Sequence, residues 1–358
     1  MTASRSKVAV LGAGSWGTTF AKILADAARA QGLERTVMLW GRNPQTMAQI
    51  QASRVNEAYF PGQRLLDQLV MTADLAQALE GASLVVLALP AQVLRSQLEQ
   101  AVRYLDPQAL LVSLAKGLEG GSGLRMSEVI QEVLQGQLIA SGASYQQIEA
   151  AAQRVTVLSG PNLAAEIMQE QPTTSVVAAH TQQVAQQVAA YCAAPYFRPY
   201  TNTDIVGVEI GGLVKNIIAL CVGMCEGKQY GDNSKASVMT RGLAETTRLA
   251  LALGGKLETM SGLAGMGDLI ATCASPLSRN HTAGRLLAQG ISPDQLHTVM
   301  TQTAESIKSA PVVAELARKV GVEMPITEAV VAVLNRRISV EELAPALLGR
   351  SLKSEGHS

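Results

Sequence analysis

No charge of either sign prevails in this chain of 358 residues: 29 basic side chains balance 29 acidic ones, and the formal net charge is zero. A global field for nucleic acid, an anionic membrane or a polyanionic partner is thereby excluded, so any anion has to be recognised locally. Uninterrupted apolar runs are short. Leu84 to Ala91, LVVLALPA, is typical, far below the roughly 20 residues that cross a bilayer. The opening MTASRSKVAVLG lacks the apolar core of a secretory signal and runs directly into a strand pattern, so a soluble, cytoplasmic protein is expected. Four cysteines, Cys192, Cys221, Cys225 and Cys273, form no CxxC pair, and no histidine completes a metal set around Cys221 and Cys225. They read as buried, reduced thiols. No internal repeat and no low-complexity linker interrupts the chain.

What is present is a large apolar complement. Hydrophobic residues make up 47% of the chain, which excludes disorder, and the length makes two domains the expectation. In the first half, short apolar runs alternate with amphipathic stretches: Lys7 to Gly12, Thr36 to Gly41, Gln68 to Thr72, Leu84 to Pro90, Ala109 to Gly117 and Arg154 to Pro161. Runs of this kind, separated by helical segments, are how strands buried on both faces of a parallel sheet read. Thr174 to His180 and Tyr196 to Tyr200 extend the sheet at its far edge. The 131–153 stretch reads as a surface helix pair or excursion with no chemistry of its own.

After about residue 202 the texture changes. Asn202, Thr203 and Asp204 are capping residues, and about six apolar turns follow them, which predicts a long buried helix. From there on the patterns are helical and broken by glycine-rich loops. The expected architecture is a Rossmann-type doubly wound α/β sheet in residues 1–201, followed by an all-α domain in residues 202–358.

Five features carry chemistry. The first is GAGSWG, Gly12 to Gly17, between a strand and a helix that leads to a second strand. In such a βαβ unit Gly12 permits the tight turn, Gly14 lets a pyrophosphate approach, and Gly17 lets helix and strand pack closely. The second is the end of the next strand, LWGRNP, where Arg42 stands and no carboxylate is available for ribose hydroxyls; this favours NADP over NAD, although Arg42 can equally stack on adenine or face solvent. The third is Lys116 in AKGLE, after a strand, where doubly wound sheets bind their ligands. The fourth is SGPNLAAEI, another strand, turn and helix, in which Gly160 and Asn162 are lining residues.

The fifth is Lys215, in the middle of the long apolar helix. A lysine there is costly without a task, and desolvation lowers its pKa toward the range useful for proton transfer. Gly211 and Gly212 are expected to leave open space on its face. Downstream, Asp268 follows three glycines and can orient Lys215 or a substrate hydroxyl, while Ser278, Arg279 and Asn280 offer a guanidinium and two neutral groups to a phosphate. His281 reads as structural.

Taken together, GAGSWGT, LWGR, NEAYFPG, AKGLE, SGPNLAAEI, GGLVKN, TRGLAE, GMGDL, SRN and GVEMPITEAV resemble, in order and over nearly the whole chain, the bacterial-type NAD(P)-dependent glycerol-3-phosphate dehydrogenases. The resemblance implies reversible hydride transfer between NAD(P)H and dihydroxyacetone phosphate, giving sn-glycerol 3-phosphate for glycerophospholipid synthesis, in a cytoplasmic homodimer. It implies that Lys215 is the acid/base, with Lys116, Gly160, Asn162, Asp268, Ser278, Arg279 and Asn280 around the substrate. Ser15, Trp16, Arg42, Lys116, Ala164, Arg279, Thr303 and Glu305 are implied as cofactor contacts. No metal is needed where a lysine supplies the polarisation. Where the family reads close to V-V-E-G this chain has TAES, Thr303 to Ser306, which weakens the Thr303 contact and keeps Glu305. The loop at 226–237 is more basic than usual, and the 131–153 stretch is longer. Two rival readings are a β-hydroxyacid or 6-phosphogluconate-type dehydrogenase, which shares a Rossmann domain followed by a helical domain with a buried lysine, and a non-enzymatic dinucleotide sensor, against which Lys116, Lys215, Asp268 and Arg279 together speak.

Overall fold

The computed structural model describes residues 6–300 and 304–349. They fold as two compact units. One comprises the described residues up to Ala115 together with Leu124–Ile205; the other joins Lys116–Gly123 to the described residues from Val206 onward. The eight-residue Lys116–Gly123 segment therefore leaves the α/β unit in which the sequence pattern had placed it. Leu118, fully buried in the core of the helical unit, anchors it there.

The first unit is built on eight strands: β1 (Ser6–Leu11), β2 (Arg35–Trp40), β3 (Leu69–Thr72), β4 (Ala82–Leu87), β5 (Leu110–Ser113), β6 (Val155–Ser159), β7 (Thr173–Ala179) and β8 (Phe197–Asn202). Their order in the sheet is β3-β2-β1-β4-β5-β6-β7-β8. From β3 to β6 every pairing is parallel, with Val10 of β1 opposite Leu39 on one side and Val86 on the other. The order reverses between β1 and β4, and ligands of doubly wound sheets bind outside the strand ends at such a point. β7 runs antiparallel to β6, and β8 is parallel to β7. The sequence pattern does not foretell that reversal. It arises because the β6–β7 link carries a five-residue helix, Ala164–Met168, and turns back at Glu170 with φ 59°.

Alternate residues of β1 enter different cores: Val8 and Val10 pack with Phe20 and Leu39, whereas Ala9 and Leu11 pack with Leu94 and Met126. Burial on both faces explains why the strand is apolar throughout. Helices Met126–Ala140 and Tyr145–Gln153 form the expected pair.

The second unit is helical, and it has no strand among its described residues. Its centre is the helix Ile205–Gly227, which is long and apolar enough to cross a membrane, yet 89% of its apolar window is buried inside the protein. Leu213, Val214, Ile217, Ile218, Leu220 and Met224 all lie in this unit's core, so the helix is apolar all round because neighbours surround it. The four cysteines are free and buried.

Candidate active site

The glycine turn after β1 is shaped by close approaches. Gly12 has φ +116°, and a Cβ there would meet the Ala88 carbonyl oxygen at 2.3 Å. A Cβ on Gly17 would lie 1.8 Å from the Gly12 carbonyl oxygen, so the helix Ser15–Ala30 can sit this close to the turn only with glycine at that position. Gly14 differs: nothing lies within 4 Å of the place its side chain would take, and no side chain caps the helix it precedes. Open space over uncapped N–H groups is what a pyrophosphate requires. Ser15 opens the helix. Trp16 packs edge to face on Phe20 at 5.6 Å, and its indole Nε1 is buried without an acceptor among the described residues. Beyond β2, the exposed Arg42 lines an open depression with Asn43, Pro44 and Gln45. These features fit a dinucleotide.

After β6, Gly160 adopts φ +139° and packs on Ser175, whose hydroxyl accepts from Asn162 Nδ2 at 3.1 Å. Asn162 Oδ1 is buried and has no partner among the described residues. Ala164 begins the five-residue helix, which is too short to aim a row of peptide dipoles at an anion; its contribution is position.

In the helical unit, Lys215 is 6% exposed and faces a carboxylate. Its Nζ donates to Asp268 Oδ1 and, at 2.8 Å, to Thr272 Oγ1. The other carboxylate oxygen of Asp268 accepts from Lys116 Nζ at 2.8 Å, so a 1% exposed aspartate bridges two lysines. Burial pulls the Lys215 ammonium down to about 7, with Asp268 opposing and the Lys116 charge assisting. A group poised near neutrality both gives and takes a proton. A π-helical turn, Leu263–Gly267, leads into the helix Asp268–Ala274 and sets Asp268 at its start. Such turns are frequent at functional sites.

Thr272 escapes a reading confined to charged residues. Its signal was the spacing of four from Asp268, which stacks both side chains on one helix face. The open space expected at Gly211 is absent. A Cβ there would lie 2.5 Å from the Ala264 carbonyl oxygen, so this glycine lets the central helix touch the turn before Asp268. The crevice beside Lys215, with Leu243, Thr246 and Leu269 in its walls, is correspondingly narrow.

Ser278 and Asn280 have structural partners. The Ser278 hydroxyl caps the helix Arg279–Ala288 by accepting from His281 N at 3.3 Å, and Asn280 Oδ1 accepts from the Ser306 backbone and hydroxyl at 3.2 and 2.7 Å. Arg279, between them, is exposed. Glu305 is raised above the usual carboxylate range by burial, while the charges of Arg279, Lys116 and Lys215 pull it the other way. Thr303 lies outside the described residues. His281 is buried, with Nε2 3.0 Å from Glu226.

A glycine turn open to pyrophosphate and a desolvated lysine held by a carboxylate are the equipment of a nicotinamide-nucleotide oxidoreductase acting on a carbonyl–alcohol pair. Residues 7–185 and 204–345 match the N-terminal and C-terminal family models of NAD-dependent glycerol-3-phosphate dehydrogenase, and the chain belongs to that family. It is 51% identical over 350 residues to the glycerol-3-phosphate dehydrogenase [NAD(P)+] of Thermobifida fusca, covering 98% of both chains. Identity to the Streptomyces coelicolor enzyme of the same description is 48% over 349 residues, again covering 98% of each. The crystal structure of glycerol-3-phosphate dehydrogenase from Coxiella burnetii superposes with a TM-score of 0.86 at 32% identity, covering 97% of this chain and 99% of that one.

Proposed function

We propose that the chain reduces dihydroxyacetone phosphate reversibly to sn-glycerol 3-phosphate for glycerophospholipid synthesis, with NADP favoured over NAD. The observation that carries the reading is the buried Lys215 held between Asp268 and Thr272 with its pKa near neutrality. Bound nicotinamide supplies the hydride in reduction and accepts it in oxidation. Lys215 gives its proton to the developing alkoxide, and Lys116 adds a second positive charge that stabilises the same oxygen. Asp268 holds both ammonium groups in place, so neither has to reorganise as charge builds up.

Lys116, Lys215 and Arg279 outnumber Asp268 and Glu305, which leaves the constellation cationic and suits a phosphorylated ketone. Arg279 grips the phosphate, with Ser278 and Asn280 fixing its helix and Gly160 and Asn162 lining the substrate. Anchoring the phosphate orients a ketone two bonds from it. Gly12 and Gly17 shape the turn at which Gly14 takes the pyrophosphate, and Arg42 takes the 2'-phosphate; Ser15, Trp16, Ala164 and Glu305 adjoin the rest of the cofactor. In this scheme residues 1–201 hold the cofactor and residues 202–358 the substrate. The protein acts as a cytoplasmic homodimer, with no part played by nucleic acid or membrane.

Near-50% identity along the full length supports this reading over the β-hydroxyacid alternative. NADPH oxidation measured with dihydroxyacetone phosphate and, separately, with a β-keto acid tests it. Turnover of the phosphorylated ketone alone is expected; turnover of the keto acid alone would overturn the assignment.

A further inference from the structure

We propose that Asn56 is a positioning residue that aims the peptide N–H groups of the glycine turn at the cofactor pyrophosphate; this rests on the reading that the turn receives NAD(P). Asn56 opens the NEAYFPG segment and is 2% exposed. Its own backbone is pinned, because its carbonyl accepts from Tyr59 N at 3.1 Å and Phe60 N at 2.8 Å, and Phe60 is buried in the sheet's core. From that fixed base its Nδ2 donates to the Ala13 carbonyl oxygen at 3.1 Å and to Thr18 Oγ1 at 2.8 Å. Both amide hydrogens are thus spent on the glycine turn and the helix behind it.

The consequence is stereochemical. In a trans peptide the carbonyl of one residue and the N–H of the next point in opposite directions, and no peptide among the described residues is cis. Drawing the Ala13 carbonyl inward to Asn56 therefore turns the Gly14 N–H outward. The following carbonyl, that of Gly14, accepts from Thr18 N at 2.9 Å, which aligns the Ser15 N–H with the helix axis. Two successive N–H groups then face the open space above Gly14. Paired amides of this kind form an anion-binding concavity. Thr18, fully buried, fixes the rotation of the Asn56 amide by accepting its second hydrogen. A core tie alone would not need a polar side chain in so dry a place.

Asn56→Asp puts carboxylate oxygens against the Ala13 carbonyl and removes both donors; Thr18→Val removes only the acceptor and keeps the shape where the first variant does not fold. The dissociation constant for NADPH, read from nicotinamide fluorescence without substrate, should rise about tenfold or more in Asn56→Asp, which is about 1.4 kcal/mol, and by a smaller factor in Thr18→Val. The kcat at saturating NADPH and the KM for dihydroxyacetone phosphate should stay within about twofold, since only the cofactor's anchoring changes. Unchanged NADPH affinity in the folded variants, or a fall in kcat with unchanged affinity, overturns the proposal. Gly14→Val tests the underlying reading separately: its φ of −77° and the empty space around it let the protein fold, so undiminished NADPH binding there would show that the cofactor lies elsewhere.

Discussion

Lys215 and Thr272 share a hydrogen bond whose direction is fixed. The Lys215 ammonium donates to Thr272 Oγ1 at 2.8 Å, and the threonine hydroxyl spends its own hydrogen on the Asp268 backbone carbonyl at 2.6 Å. Thr272 therefore presents lone pairs to the lysine and favours its charged form. Replacing Thr272 by valine removes that acceptor and lowers the proton affinity of Lys215 further. The pH at which ketone reduction is lost should move to lower pH by roughly one unit, the worth of one hydrogen bond to a charged group. A pH–rate profile checks this, and an unmoved limb would take Thr272 out of the proton's environment.

The same profile carries a sign for Lys116. Reduction needs Lys215 protonated, so its rate should fall as pH rises through about 7; oxidation of the alcohol needs it neutral, so that rate should rise over the same range. The Lys116 charge is one of the causes that lower Lys215, and Lys116→Met removes it. Both limbs should then shift to higher pH while kcat falls in both directions for want of the second cation. A shift to lower pH would mean that Lys116 acts on Lys215 mainly by holding Asp268 against it.

Strands β1 to β7 and the central helix were legible in the sequence because burial on both faces leaves a nearly continuous apolar signature, in Val8 to Leu11 as in Ile217 to Val222, whereas β8 is half exposed at the sheet's edge. Lys215 was legible for the converse reason, as a charge inside such a run. Its partner Thr272 was not, since a neutral hydroxyl in an apolar helix resembles any half-buried threonine. The role of Gly211 was misjudged because a missing side chain reads alike whether a substrate or another backbone fills the space. Here the Ala264 carbonyl fills it. The reversal at β7 and the transfer of Lys116–Gly123 to the helical unit depend on contacts distant in sequence, which periodicity does not encode.

Glu245 links stability to pH. It sits in the helix Asp232–Ala252, 2% exposed, and accepts from Ile326 N at 2.5 Å and Thr327 N at 3.3 Å, so it caps the helix Pro325–Leu334, whose own Met324 cannot. Burial raises its carboxyl from 4.5 to about 7, against the pull of those N–H bonds. Because the folded pKa is the higher one, the folded state binds the proton more tightly. The contribution is complete below pH 4.5 and is lost as pH rises through about 7. The ceiling is on the order of 3 kcal/mol. Urea unfolding at pH 5 and pH 8 should show Glu245→Gln gaining on the wild type by about 1–3 kcal/mol between the two. An equal gap at both pH values would mean that the carboxyl titrates alike in both states.

Arg42 offers the most direct reading of cofactor choice. It follows β2, is exposed, and shares its depression with Asn43, whose side chain is committed to capping the helix Pro44–Ser53 through Gln45 N at 2.9 Å and Thr46 N at 3.1 Å. The guanidinium is therefore the charged group there that can turn toward a ligand. Arg42→Asp replaces a phosphate-binding cation with a carboxylate that repels phosphate and accepts from ribose hydroxyls. The kcat/KM with NADPH should fall roughly 10- to 100-fold, the worth of a charge-assisted contact, whereas that with NADH should hold or rise. Unfolding stability should stay within about 0.5 kcal/mol, as for most exposed positions. Equal losses with both cofactors would instead place Arg42 over the adenine, where it discriminates nothing at the 2' position.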